Sequence, residues 1–264
     1  MSEQYASGLV VRDVRLHVAG RLLLDRVSFD AQRGECVAII GANGAGKTTL
    51  LRAIAGLWPA TGGDIMLDAN PLPKQRARER ARRVALVTAD EALFDGMTVR
   101  EAVAAGRYAH HPWWDWHASL ADESAIDGAL DSVGLEGLAM QSMGTLSTGE
   151  RGRAWMALAL AQDAELLLLD EPTSHLDVRY AIEALELLRR VVSRGRIAVV
   201  ALHSLEEAAE FADRVVVLGE RTMLAFGRPR DVLDEPTLAR AYGVTLDVVV
   251  AGGGLLFRRK LPER

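Results

Sequence analysis

Gly41-Ala42-Asn43-Gly44-Ala45-Gly46-Lys47-Thr48 decides how this chain is read. The stretch satisfies G-x-x-x-x-G-K-[ST] without a mismatch. A continuous apolar run, Cys36 to Ile40, stands before it, and a helix-compatible segment, Thr48 to Gly56, follows. Strand, glycine loop and helix in that order make a cradle for phosphate. The glycines let backbone N–H groups curl around phosphate oxygens, and the helix N-terminus adds a favourable dipole potential. In such a loop Lys47 reaches the β- and γ-phosphates of a nucleotide, and the Thr48 hydroxyl is placed to ligate Mg²⁺. The bland alternative is an ordinary glycine turn ahead of a helix. The complete motif in its complete context outweighs it.

Two further apolar runs, Leu166 to Leu169 and Ile197 to Leu202, share the character of the first. None alternates, as expected for strands covered on both faces in a parallel sheet. Each ends in polar chemistry: the glycine loop, Asp170-Glu171, and His203. Ligands in open α/β sheets bind beyond the carboxyl ends of the strands, so the three ends are predicted to share one site. A carboxylate there, Asp170, is placed to hold Mg²⁺ directly or through water. Its neighbour Glu171 can orient and deprotonate an attacking water.

The composition sets the frame for that site. With 264 residues, 49% hydrophobic and 25% charged, the chain suits one large domain or a domain with an inserted subdomain. Cys36 is the only cysteine, which excludes an intrachain disulfide and a multi-cysteine metal cluster. Inside an apolar run it reads as a small core residue. The net charge of -5 argues against a dedicated nucleic-acid binder. No apolar run approaches a membrane span, and Met1-Ser2-Glu3-Gln4-Tyr5 lacks the basic start and apolar stretch of a secretory signal. The expectation is a cytoplasmic protein that reaches a membrane only through a partner.

Between the first two apolar runs, Asp90 to Gln162 is helix-prone, with predicted helices at Val99 to Ala109 and Glu123 to Val133. At its centre, His110 to His117 reads as an exposed aromatic loop. His110, His111 and His117 are taken as surface residues rather than haem or metal ligands. Trp113, Trp114 and Trp116 suit core cover or a protein contact equally. Ahead of this stretch, Lys74 to Arg83 carries six basic residues and one acid, and is read as a solvated helix face. At the C-terminus, Thr245 to Val250 and Leu255 to Arg258 flank Gly252-Gly253-Gly254 and predict a hairpin.

Leu146-Ser147-Thr148-Gly149-Glu150 resembles the Leu-Ser-Gly-Gly-Gln/Glu motif of the nucleotide-binding subunits of ATP-binding-cassette (ABC) transporters. Ser174-His175-Leu176-Asp177 resembles their D-loop, and His203 their switch histidine. With the phosphate loop and Asp170-Glu171, the ordered set covers nearly the whole chain. The resemblance implies an α/β fold with a RecA-like P-loop NTPase core and a parallel-rich sheet over 8–89 and 163–235. A helical subdomain would be inserted at 90–162, and a tail or hairpin would fill 236–264. It implies an ATP hydrolase that uses ATP and Mg²⁺. Gly41, Asn43, Gly44, Ala45, Gly46, Lys47, Thr48 and Thr49 would bind the nucleotide, together with Ser147, Gly149, Glu150 and Asp177. Thr48 and Asp170 would hold the metal, Glu171 would be the general base, and His203 would contact the γ-phosphate. Two copies would pack head to tail around two ATP molecules, so that Ser147 and Gly149 of one face the phosphates held by Lys47 of the other. The implied partners are integral membrane permease subunits at the cytoplasmic face and, indirectly, a periplasmic or surface substrate-binding protein. No nucleic acid is expected.

Four positions depart from the family pattern. Val18 stands where an aromatic residue usually stacks on adenine, and Ala89 where a glutamine usually links Mg²⁺ and the attacking water to the membrane partner. Thr148 replaces the first glycine of the Leu-Ser-Gly-Gly motif, and Gly152 replaces a common glutamine. No phosphate, metal or base residue is lost, so an active ATPase is expected. Gly106-Arg107-Tyr108-Ala109-His110 resembles a Gly-Arg-Tyr-Pro-His segment of importer ATPases for iron–siderophore complexes, haem and cobalamin, and Tyr242-Gly243-Val244 resembles the ending of the same group. The leading reading is therefore the motor of such an importer. The alternative, supported by Ala89, is a soluble ABC-type ATPase acting on a macromolecule. The permease contact is expected near 89–96 and 106–111, with Leu93, Phe94, Met97 and Tyr108 as apolar candidates.

Overall fold

Cys36 to Ile40 is buried along its whole length, and its side chains alternate between two cores. Cys36, Ala38 and Ile40 enter one apolar cluster, whereas Val37 and Ile39 enter the other. The unbroken apolar run is thus a strand covered on both faces. The computed structural model describes residues 7–88, 94–111, 119–174 and 176–259. Ala89, Leu93, Trp113, Trp114, Trp116, His117 and His175 lie outside the described residues.

Ten strands share one sheet among the described residues: β1 (Gly8–Val18), β2 (Arg21–Gln32), β3 (Cys36–Ile40), β4 (Gly62–Leu67), β5 (Asn70–Pro71), β6 (Val84–Val87), β7 (Leu166–Asp170), β8 (Ile197–Ala201), β9 (Arg214–Gly219) and β10 (Thr222–Gly227). Their order is β5-β4-β1-β2-β10-β9-β3-β8-β7-β6. The run β9-β3-β8-β7-β6 is parallel; beyond β9 the pairs are antiparallel except β10 with β2, which meet in parallel at Thr222 and Asp25. Ile39 and Asp170 both stand opposite Ala201 of the strand between them. That register brings the ends of β3, β8 and β7 level. Gly41, His203 and Glu171 all leave the sheet on one side.

The helices are α1 (Lys47–Ile54), α2 (Ala77–Arg83), α3 (Val99–Ala104), α4 (Leu120–Ser132), α5 (Thr148–Ala161), α6 (Val178–Val192), α7 (Leu205–Phe211), α8 (Pro229–Val232) and α9 (Glu235–Tyr242). Leu50, Leu51 and Ile54 seat α1 on one face of the sheet with no exposed area, each contributing about 1.5–3 kcal/mol of apolar burial. Apolar residues of α3, α4, α5 and α6 share the cluster on the other face. Three of these helices open with a capping box: Thr98 with Glu101, Ser119 with Asp122, and Ser147 with Glu150. A separate hairpin, β11 (Leu246–Ala251) and β12 (Gly254–Arg259), closes the described chain where the glycine-flanked pattern predicts it.

Two local expectations need correction. The α-helix starting at Val99 stops at Ala104, and Ala105–His110 continues as a 3₁₀ turn. Gly106 presses against α5 so closely that a Cβ there would lie 2.6 Å from the Leu158 carbonyl oxygen. The basic run is also more than a solvated face. Arg78 and Arg82 both donate to the Ala109 carbonyl, at 3.1 and 2.7 Å, and Arg83 pairs with Asp68 and Glu165. The cations therefore satisfy carbonyls at the end of the 3₁₀ turn, where the backbone dipole favours positive charge.

Candidate functional site

The phosphate loop leaves β3 at Gly41 and enters α1 at Lys47. Gly41 has φ +152, and a Cβ there would lie 2.6 Å from the Leu218 carbonyl oxygen, so only glycine fits between the loop and β9. Gly46, the N-cap of α1, has φ +100, which turns the chain into the helix. Lys47 is 5% exposed and donates from Nζ to the Gly41 carbonyl at 2.9 Å. Burial lowers its pKa, against the raising effect of Glu171 and Asp170. The ammonium is held inside the loop and faces two carboxylates. Gly41, Asn43, Gly44, Ala45, Gly46, Thr48 and Thr49 are contiguous with it in the loop and the first turn of α1.

Asp170 ends β7, and Glu171 follows with φ +54, a left-handed conformation uncommon for a non-glycine residue. Its N–H still donates to Ala201 O at 3.0 Å, which keeps the turn bound to β8. Strain directly after a buried strand aims the Glu171 side chain across the sheet end. There Glu171 Oε1 meets His203 Nε2 at 2.5 Å. The loop beyond is tied back by Ser174, whose hydroxyl donates to Glu171 O at 2.8 Å. Thr173 donates to Glu207 at 2.8 Å, near the start of α7.

Asp170 also supplies the test of a metal. Oδ1 is buried with no hydrogen-bond partner, whereas the Thr48 hydroxyl bonds the same carboxylate. Burial raises the Asp170 pKa, with the Glu171 charge adding to it and the Thr48 bond opposing it. An orphaned carboxylate oxygen beside a hydroxyl fits a hard divalent cation. The residues therefore fit Mg²⁺.

Ser147, Gly149, Glu150 and Asp177 are organised at two helix starts. Ser147 caps α5, and its hydroxyl donates to Glu150 at 2.7 Å, while Asp177 caps α6 by accepting from the Tyr180 N–H at 3.0 Å. Gly149 lies under the Tyr180 ring, which a Cβ would approach to 3.2 Å. Among the described residues, no hydrogen bond joins these groups to the phosphate loop of their own chain. Thr148 and Gly152 line a small cavity with Asp170, Glu171 and Trp155.

Five contacts carry no local sequence signal. Trp58, beyond α1, donates from its indole to His17 O at 3.1 Å, beside the half-exposed Val18, and the His17 ring meets Thr61 at 2.8 Å. Tyr242, at the end of α9, accepts the Gly41 N–H at 3.1 Å. Arg107, inside the Gly-Arg-Tyr stretch, binds buried Asp122 at 2.8 Å and the Ala161 carbonyl at 2.8 Å. The histidines expected at the surface have structural bonds as well: His110 with Gln162 O at 2.9 Å and His111 with Asp122 at 2.8 Å.

A family model described as ABC transporter matches residues 24–174, which include the phosphate loop, Ser147 to Glu150, and Asp170-Glu171. The chain belongs to the ABC transporter family. It is an ATP-binding, ATP-hydrolysing subunit of that family. The ferric enterobactin transport ATP-binding protein FepC of Escherichia coli (strain K12) is 36% identical over 237 residues, covering 88% of this chain and 87% of FepC. The hemin import ATP-binding protein HmuV of Streptomyces coelicolor is 38% identical over 235 residues, covering 89% of this chain and 83% of HmuV. Among solved structures, cbiO1 from Clostridium perfringens, part of the ABC transporter complex cbiONQ, superimposes with a TM-score of 0.75 at 26% identity, covering 89% of this chain and 94% of cbiO1. No helix among the described residues is long and apolar enough to cross a membrane.

Proposed function

We propose that the chain drives a membrane importer for an iron chelate, haem or cobalamin, working as a head-to-tail homodimer on permease subunits at the cytoplasmic face. The observation that carries the chemistry is the meeting of Lys47, Asp170 and the Glu171–His203 pair at the level ends of β3, β7 and β8. The choice of cargo is supported by FepC and HmuV, named for ferric enterobactin and hemin, and by the Gly106 to His110 and Tyr242 to Val244 stretches.

In this reading the phosphates lie on the loop amides, and Lys47 turns from the Gly41 carbonyl to the β- and γ-phosphates. Thr48 and Asp170 would hold Mg²⁺, which would supply positive charge to offset that of the nucleotide phosphates. Glu171 accepts the proton of the attacking water. His203 holds Glu171 in place and reaches the γ-phosphate. The second copy presents Ser147 and Gly149 at the N-terminus of α5, a donor-rich end suited to phosphate. Glu150 keeps the Ser147 cap in register, and Asp177 orders the start of α6. Domain limits follow the same reading: the ATPase core at 8–89 and 163–235, the helical subdomain at 90–162, and the tail at 236–264. Tyr108, 60% exposed, offers a ring to the permease. A periplasmic or surface binding protein delivers cargo to the far side.

Uptake measurements test this. Cells lacking the gene should lose uptake of one of labelled ferric siderophore, haem or cobalamin, and a plasmid carrying the wild-type gene, but not Glu171→Gln, should restore it. Unchanged uptake of all three would exclude the cargo class.

A further inference from the structure

Gly41 is held from two directions by side chains far apart in sequence. Its N–H donates to the Tyr242 hydroxyl at 3.1 Å, and its carbonyl accepts from Lys47 Nζ at 2.9 Å. These groups belong to the two peptide planes on either side of the Gly41 Cα, and the only soft rotations at a residue lie between such planes. Glycine has more rotational freedom to lose there than any other residue. Fixing both groups fixes the first bend of the phosphate loop.

The approach of Tyr242 is built into the fold. It ends α9, and Gly243 follows in a left-handed cap with φ +69. The helix lies hard against the end of β9, where a Cβ on Gly219 would stand 2.9 Å from the Ala241 Cα. Leu238 and Ala241 are buried on the same helix. Burial pushes the Tyr242 phenol up to about 12, even though the Gly41 N–H lowers it, so the group stays a neutral hydroxyl. Beyond α9, Leu255 and Phe257 of β12 join the cluster that contains Leu205, Ala208 and Ala209 of α7, the helix that follows His203. The C-terminal segment thus touches the phosphate loop at one end and the helix behind His203 at the other.

We propose that Tyr242 is a positioning residue for ATP binding: its hydroxyl holds the Gly41 N–H while Lys47 holds the Gly41 carbonyl, so that the two together fix the first bend of the phosphate loop. The proposal rests on reading 41–48 as the phosphate loop for ATP. A pre-set loop binds phosphate without first losing backbone freedom, so the effect falls on affinity rather than on the chemical step.

Steady-state kinetics of Tyr242→Phe in the full chain test it, with Lys47→Ala as the companion variant. Losing one neutral hydrogen bond should raise the KM for ATP roughly five-fold and change kcat less than about two-fold. Amide hydrogen exchange adds a readout in the wild-type protein. Without nucleotide, the Gly41 amide should exchange as slowly as the amides of β3, and in Tyr242→Phe it should exchange faster. A lower unfolding temperature with an unchanged KM would mean that Tyr242 only anchors the tail, and would overturn the proposal. So would a wild-type Gly41 amide that exchanges like an exposed loop amide, which decides the matter even if the variant fails to fold. If Lys47→Ala weakens ATP binding and Tyr242→Phe does not, only the role of Tyr242 falls. If neither variant alters ATP binding, the phosphate-loop reading falls with it.

Discussion

His203 Nε2 and Glu171 Oε1 stand 2.5 Å apart, joining the residues that follow β8 and β7 across neighbouring strand ends. The pair holds a carboxylate that leaves its strand in a left-handed conformation, so the backbone and the imidazole together determine where Glu171 points. Glu171→Gln keeps the shape and removes the base. Turnover is expected to fall about 10²–10⁴-fold while Mg-ATP still binds. Size-exclusion chromatography with ATP should then show an accumulated dimer. Turnover like that of the wild type would remove Glu171 from the mechanism.

Lys47→Ala should weaken ATP binding as well as hydrolysis, because the ammonium contacts phosphates already charged in the ground state. Losing a charge-assisted bond of about 1.5–3 kcal/mol corresponds to an affinity loss of roughly ten-fold or more. Fluorescent-nucleotide titration reads this directly, and an unchanged Kd would contradict the assignment of the loop.

Asp122 is a buried charge in the helical region, bonded to Arg107, Ser119 and His111. Burial alone would raise its pKa, but the Ser119 and Arg107 bonds outweigh burial and hold it below the usual carboxylate range. A depressed folded-state pKa contributes stability that is complete above the unfolded value, about 3.9, and fades as pH falls through and below it. Asp122→Asn should therefore cost about 3 kcal/mol near neutral pH and flatten the acid side of the stability profile. Denaturant unfolding from about pH 3 to pH 7 measures both effects. Parallel profiles for the two proteins would show that Asp122 carries none of the acid dependence.

Tyr108 and Phe94 part company as interface candidates. Phe94 packs edge-on against Trp155 with ring centroids 5.1 Å apart, so a charge there should damage the core. Tyr108 is largely exposed, and Tyr108→Glu should cost less stability than a charge at Phe94. ATPase activity of the isolated subunit should persist while recovery with membrane permease is lost. Pull-down from solubilised membranes tests this, and undiminished recovery would move the contact elsewhere.

The parts of the site written in contiguous residues are legible in the chain itself. Gly41 to Thr48, Asp170-Glu171 and His203 each follow an apolar run, and a run covered on both faces needs no partner's identity to be recognised. The helix starts at Ser147 and Ser119 are equally local, since a capping box closes within four residues. The stretch from Lys74 to Arg83 is different. Its spacing specifies a charged face, but the Ala109 carbonyl that receives Arg78 and Arg82 arrives from another element.

Local order, the phosphate loop, the acidic strand end and the terminal hairpin follow from the amino-acid sequence, because periodicity, glycine conformation and capping act over a few residues. Tertiary structure alone decides which distant groups meet: Tyr242 with Gly41, Trp58 with His17, Arg107 with Asp122. Each of these bonds spans a gap that loop closure leaves unconstrained and leaves no pattern in the intervening chain. They form because two packed layers bring fixed backbone ends to one place, and a buried polar group there must find a partner.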